Sequence, residues 1–171
     1  QQLGQLQASV GNHYRAVDRF GEREALPFTS PSSELNLLMM KARSLFHSGR
    51  PDDAAAAARR ALMLVEQHRD LKPFHPWVLN RLAFFLYTAG KYEESVATYN
   101  RLEAVDATRS FEGESGGWNR VRHYTMKGAA AWADGDRKTA TTSLDEAFRA
   151  LEFLEPSSLA PFGSVSLRKR S

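Results

Sequence analysis

The sequence predicts an all-α fold, an array of antiparallel helical hairpins, and three observations carry that prediction. Leu79, Leu82, Ala83 and Leu86 fall at i, i+3, i+4 and i+7, the apolar stripe of one helix. The run breaks at Ala89-Gly90-Lys91 and a second stripe follows through Tyr92, Val96, Tyr99, Leu102 and Val105. Two helices joined by so short a turn pack antiparallel. The same pattern then recurs around other glycines. Leu82 and Ala83 stand eight and seven residues before Gly90; Ser95, Tyr99 and Leu102 stand five, nine and twelve after it. Those offsets give Lys41, Ala42, Ala54, Ala58 and Ala61 around Gly49, and Lys127, Gly128, Ala140, Leu144 and Ala147 around Gly135. An aromatic residue stands three before each glycine: Phe46, Tyr87 and Trp132.

The first stretch, Leu3 to Leu26, shows half of the pattern. Gly11 has Leu3-Gly4 eight and seven residues before it, and Ala16 and Phe20 five and nine after. It reads as a partial hairpin over 1–26 whose first helix is cut short by the chain start. Its apolar face of Tyr14, Val17 and Phe20 is expected to lack full cover and to favour self-association, because repeat arrays need a polar cap at such an end. Pro27 to Ser33 is a link, with Ser33 expected as the N-cap before Glu34.

The first full hairpin is expected over 34–68, with helices at Glu34–Ser48 and Asp52–Gln67 and Pro51 at a helix start. Asp70 to Phe74 reads as a loop. His75-Pro76 opens the second hairpin, 76–106, in which Gly90 takes the positive φ that ends a helix. Thr108 to Gly117 is a glycine-rich connection, and it explains why Gly90 to Gly135 spans 45 residues against 41 for the preceding step. The third hairpin, 118–155, has helices at Trp118–Asp134 and Arg137–Leu154, the last stopped by Pro156. The helical-repeat domain is thus 1–156, followed by an irregular basic tail, 157–171, ending Arg168-Lys169-Arg170-Ser171. The chain opens on Gln1-Gln2 without a methionine, a basic n-region or an apolar h-region. A removed leader and a piece of a longer protein are the two readings, and the repeat pattern favours the piece.

Hydrophobic content of 42% and charged content of 25% are those of an ordinary soluble chain. No run approaches the roughly 18 apolar residues of a membrane span. Zero cysteines exclude disulfides and thiolate metal sites. The compartment stays open, with the cytoplasm favoured. A net charge of +3 is too mild to argue for nucleic acid by itself.

A small residue, a glycine turn, then alanine, aromatic and alanine at these offsets resemble the tetratricopeptide repeat (TPR), over about Leu3 to Leu154 and best in the second hairpin. The family's usual period is about 34 residues. The longer steps here, and the His75-Pro76 start followed by LNRLAFFLYTAGKYEES, are similar to repeats of kinesin light chain type. Lys41 and Lys127 stand where the family is usually apolar, and the proline common at a repeat's end is missing. The resemblance implies a right-handed superhelical α-solenoid of about three and a half hairpins. It also implies a role in protein–protein interaction, with first helices lining a concave groove.

Catalytic and metal-binding patterns are missing from the sequence. Five histidines include no pair at i, i+4 and no HExxH; His68 and His75 flank a loop, where a solvated role outweighs a shared metal. No phosphate loop or GxSxG elbow occurs. The acidic pairs Asp52-Asp53, Glu93-Glu94 and Asp145-Glu146 are expected at the starts of second helices, where they complement the helix dipole. Arg120, Arg122, His123 and Lys127, with Trp118 and Tyr124, are the best nucleic-acid patch, but they lack a second aligned row of cations.

One further stripe on each first helix lies off the face that meets its own hairpin partner. It reads Asn36, Met39, Met40, Arg43 and His47; Trp77, Asn80, Arg81, Phe84 and Thr88; Arg122, Thr125, Met126, Ala129 and Ala133. The resemblance places this stripe in the groove. Arginine, asparagine and aromatics mixed with methionine are the composition of a peptide-binding surface. Asn36, Met39, Arg43, Trp77, Asn80, Arg81, Phe84, Arg122 and Thr125 are the expected partner-binding residues. The competing structural role for Met39, Trp77 and Phe84 is packing between hairpins. Three arginines and no acid favour an acidic or carboxylate-ended peptide, while the lysine–asparagine clamp of chaperone-binding family members is not reproduced. The expected function is therefore a non-enzymatic adaptor or assembly subunit without a cofactor. The alternative is a regulatory or sensor segment of a larger enzyme or transcription regulator.

Overall fold

The computed structural model describes residues 12–24, 27–28, 30–105 and 114–152. Among these there is no strand, and seven α-helices follow one another: α1 (His13–Glu24), α2 (Pro31–His47), α3 (Pro51–Gln67), α4 (His75–Thr88), α5 (Tyr92–Val105), α6 (Glu114–Asp134) and α7 (Arg137–Glu152). Each packs on its sequence neighbours: α2 on α3, α4 on α5 and α6 on α7 as hairpins, with α1 on α2, α3 on α4 and α5 on α6 between them. The segment expected to precede α1 in the partial hairpin (Leu3 to Val10), the connection at 108–113, Leu154 with Pro156 and the tail 157–171 lie outside the described residues.

The glycine turns are three copies of one motif. Gly49, Gly90 and Gly135 have φ of 73°, 74° and 89°. In each, the glycine N–H reaches the carbonyl three residues back (Phe46, Tyr87, Trp132), and the next N–H reaches the carbonyl five residues back from itself: Arg50 to Leu45, Lys91 to Leu86 and Asp136 to Ala131, all 2.9 Å. This paired closure satisfies carbonyls that the helix end leaves open, and it needs left-handed backbone at one residue.

The offsets from those glycines map onto burial. Ala42, Ala83, Ala54, Ser95, Ala140, Ala58 and Ala61 are wholly buried. Ser95 Oγ donates to the Ala83 carbonyl at 2.8 Å, fixing how closely α4 and α5 approach. At Gly128 an added Cβ would stand 3.0 Å from Leu144 Cγ, so the third hairpin uses glycine where the others use alanine. The main core runs from Leu35 and Leu38 through Val65, Leu71 and Val78 to Leu86 and Leu102.

Several local expectations are corrected. Ser30, not Ser33, caps α2: its hydroxyl accepts from Ser33 N–H, and Pro31 sits at the first turn, where it has no N–H to lose. Arg69–Phe74 is a 3₁₀ helix rather than a loop, and its Leu71 is buried. The backbone of α6 starts at Glu114 and passes through Gly116 and Gly117, so a glycine pair marks no boundary here. Val105 is 49% exposed, and the buried face of α5 is Ser95, Thr98, Tyr99 and Leu102. Asp145-Glu146 lie in the middle of α7, unlike the first-turn pairs of α3 and α5. At the start of α7 it is Asp136 that accepts from Thr139 N–H. Of Tyr14, Val17 and Phe20, only Tyr14 is widely exposed; Phe20 is buried with Ala16 against Leu37.

Lys41 and Lys127, charged at a position that is apolar in α4, each reach a carboxylate on the preceding hairpin. Lys41 pairs with Glu24 of α1. Lys127 meets both oxygens of Glu103 on α5, each at 2.9 Å. His123 Nε2 lies 2.9 Å from the same carboxylate. Both acids stand thirteen residues after their glycines, and both lysines eight before theirs. At the corresponding places between α3 and α4 stand Leu62 and Leu82, both buried.

Candidate functional site

Helices α2, α4 and α6 together build a groove of about 580 Å³. It is lined by Asn36, Met39, Met40, Arg43, Phe46 and His47 of α2, by Trp77, Arg81, Phe84 and Phe85 of α4, and by Arg122 of α6. Seven of the nine expected site residues meet there. Asn80, half-buried, and Thr125, exposed, are not among the lining residues.

The floor is aromatic. Phe84 stands edge-on to Phe46, ring centroids 5.2 Å apart, and Phe46 lies 5.7 Å from Phe85. Phe84 is half-buried against the core and Met39 is within it, so both also pack between hairpins, whereas Trp77 is 41% exposed at the rim. Phe46 and Phe85 line the groove although they lie off the expected stripe. The sequence signal for Phe46 is its recurring place before the glycine; Phe85 has none.

Arg43, Arg81 and Arg122 bring three cations to this floor from three helices. Among the described residues none of them has a carboxylate within ion-pair distance. Partial burial lowers the pKa of the Arg81 guanidinium, and the positive charges of Arg122 and Arg43 add to that effect. Arginine keeps its charge at neutral pH nonetheless. The ring of His13 stacks on His47 at the groove's end, 4.6 Å between centroids. Burial holds the His47 imidazole below its ordinary pKa, with His13 and Arg43 adding to the effect. The arrangement is a positive, partly apolar trough.

The expected nucleic-acid patch is dispersed by its own contacts. His123 and Lys127 are buried on Glu103, and Arg120 reaches Glu146 at 3.4 Å, which leaves Arg122 on the groove. The side chain of Trp118 lies outside the described residues. Burial raises the Glu103 carboxyl, but hydrogen bonds from His123 and Lys127 outweigh it and hold the group below its ordinary pKa. Among the described residues no three histidine or acidic side chains cluster so as to hold a metal, and no helix is long and apolar enough to cross a membrane.

A second cavity of about 570 Å³ lies between α1, α2 and α3, over Val17, Leu45 and Ala57. Its charged rim is largely committed to ion pairs: Lys41 and Arg60 to Glu24, and Arg50 to Asp53.

Residues 36–60 match the family model of the tetratricopeptide repeat. Among solved structures, the kinesin light chain nearly identical TPR-like repeats of Podosopora anserina superpose with a TM-score of 0.68 at 19% identity, over 93% of this chain and 78% of that one. MamA aligns over 87% of this chain and 94% of its own, with a TM-score of 0.40 and 14% identity. No curated protein matches the sequence. The first likeness is one of fold: a helical solenoid.

Proposed function

We propose that this chain, a solenoid of tetratricopeptide-repeat hairpins, is a non-catalytic binding module that takes an acidic or carboxylate-ended peptide along the α2–α4–α6 groove. TPR-like repeats generally mediate protein–protein interaction. The observation that carries the finer reading is the meeting of Arg43, Arg81 and Arg122 on one aromatic floor without a neighbouring carboxylate among the described residues. Three unneutralised cations repel one another, and an anionic ligand relieves that repulsion. Charge then steers the encounter, while burial against Trp77 and Phe84 supplies most of the affinity.

The test is fluorescence anisotropy with two labelled peptides of equal apolar content, one rich in Asp and Glu, the other with those residues replaced by Lys. The acidic peptide is expected to bind more tightly, with affinity falling as salt rises. Arg81→Glu is expected to slow association and Phe84→Ala to cost about 1–3 kcal/mol of binding. Lys138→Glu, on exposed α7, serves as the control. Equal affinity for both peptides, or equal loss at Lys138 and Arg81, overturns the reading.

A further inference from the structure

His47 closes the last turn of α2 and lines the α2–α4–α6 groove with Arg43, four residues back on the same helix face. Its surroundings pull its proton in two directions. The helix end favours a cation, because the carbonyls there carry partial negative charge. Against that, α1 stacks the ring of His13 on His47, 4.6 Å between centroids, and Arg43 adds a fixed positive charge. Phe46 stands edge-on to His47 at 5.1 Å, with Phe84 of α4 behind it. Helices α4 and α6 bring two more cations, Arg81 and Arg122, to the same groove. Among the described residues no acid lines the groove to offset them. The opposing influences win: burial first, then His13 and Arg43, hold the imidazole below its ordinary 6.5.

We propose that His47 is the groove's conditional cation: neutral in the empty groove at pH 7, it takes up a proton when an acidic ligand lies beside it, so that filling and protonation reinforce each other. The inference rests on the acidic-peptide reading of the groove and adds to it one residue and one proton. A ligand carboxylate supplies the negative charge that the empty site lacks, and it offsets the field of Arg43 and His13 at the ring. The three arginines are charged throughout the neutral range, so they have no proton to take up. His13 is not among the groove-lining residues. Two stacked imidazolium rings repel, so the pair accepts one proton and the ring facing the ligand, that of His47, carries it. The coupling is reciprocal: ligand favours the proton as much as the proton favours ligand. Affinity is flat at high pH, climbs as pH falls through the pKa of the filled site, and levels off once the empty site is protonated as well.

Anisotropy titrations from about pH 8 to about pH 5.5 test the coupling, with an acetylated peptide rich in Asp and Glu and its Lys-replaced counterpart. The peptide carboxylates, with ordinary pKa values of about 4, stay ionised across this window. For wild type the affinity for the acidic peptide is expected to rise about five- to tenfold as pH falls. His47→Gln is expected to abolish the rise; His47 is exposed, so the variant keeps its fold. His13→Gln removes the neighbouring ring and is expected to keep the rise and move it to higher pH. Calorimetry at about pH 6.5 in two buffers of different ionisation enthalpy is expected to show proton uptake on binding in wild type and none in His47→Gln. Acidic-peptide preference at high pH with a flat pH profile overturns the proposal and leaves the reading of the groove standing. So does a rise that survives in His47→Gln or vanishes in His13→Gln. Equal affinity for the two peptides at high pH overturns both.

Discussion

Glu103 on α5 grips Lys127 on α6 through both carboxylate oxygens, at the register positions that the buried Leu62 and Leu82 occupy one hairpin earlier. Lys127 is only 9% exposed, so removing its counter-charge strands a cation in the interior. Glu103→Ala is expected to destabilise by about 3 kcal/mol, the lower end for a buried pair because Glu103 is the more exposed partner. The double change Glu103→Leu with Lys127→Leu copies the middle interface and is expected to be neutral or stabilising. Urea melts of the three chains check both statements, and a double variant as weak as the single one refutes the equivalence.

The same carboxylate gives a pH dependence of known sign. The folded pKa of Glu103 lies below its ordinary 4.5, so unfolding takes up a proton in acid. Its contribution is complete above 4.5 and disappears as pH falls through the depressed folded value. Melting temperature is expected to drop more steeply in that window for wild type than for Glu103→Gln. Parallel acid limbs for the two chains count against it.

Gly90 and its two counterparts hold left-handed backbone in open space, where an added Cβ would meet no atom within 4 Å. The cost of substitution there is conformational and not steric. Alanine at Gly49, Gly90 or Gly135 is expected to cost about 1–2 kcal/mol at each position. Equilibrium unfolding measures it; a harmless alanine at all three rules out the capping role.

Ala83 is wholly buried, and its carbonyl is held by Ser95 Oγ. Ala83→Arg is expected to destabilise by several kcal/mol, because a long charged side chain is forced between α4 and α5. Ser95→Ala removes one buried hydrogen bond and is expected to cost about 1 kcal/mol. Thermal melts of the two variants separate steric from polar effects.

What the chain reveals by itself is periodic. Glycine, small and apolar positions at fixed offsets predict which of Ala42, Ala54, Ala83, Ser95 and Ala140 are buried, because helix geometry converts spacing directly into a face. The groove is legible for the same reason at Arg43, Arg81 and Arg122. What escapes is set by contacts outside that periodicity. Ser30, Ser32 and Ser33 are equally good caps by type, and Pro31 decides among them only through backbone geometry. Lys41 and Lys127 look misplaced in the sequence because their acids sit on another helix, 17 and 24 residues away. Phe46 and Phe85 reach the groove floor by packing against Phe84, a tertiary contact that no single-helix pattern contains.

The alternation of charged and apolar joints has a consequence for how such a chain can be rearranged. Its hairpins are not interchangeable parts. Exchanging the α2–α3 and α4–α5 units would set Lys127 against Leu62, sealing in a cation without its acid, and would set Leu82 against Glu24 in place of a lysine. Gene-level duplication or shuffling of these units is therefore tolerated only when a hairpin lands beside a matching neighbour, and the order of the units is written into their seams.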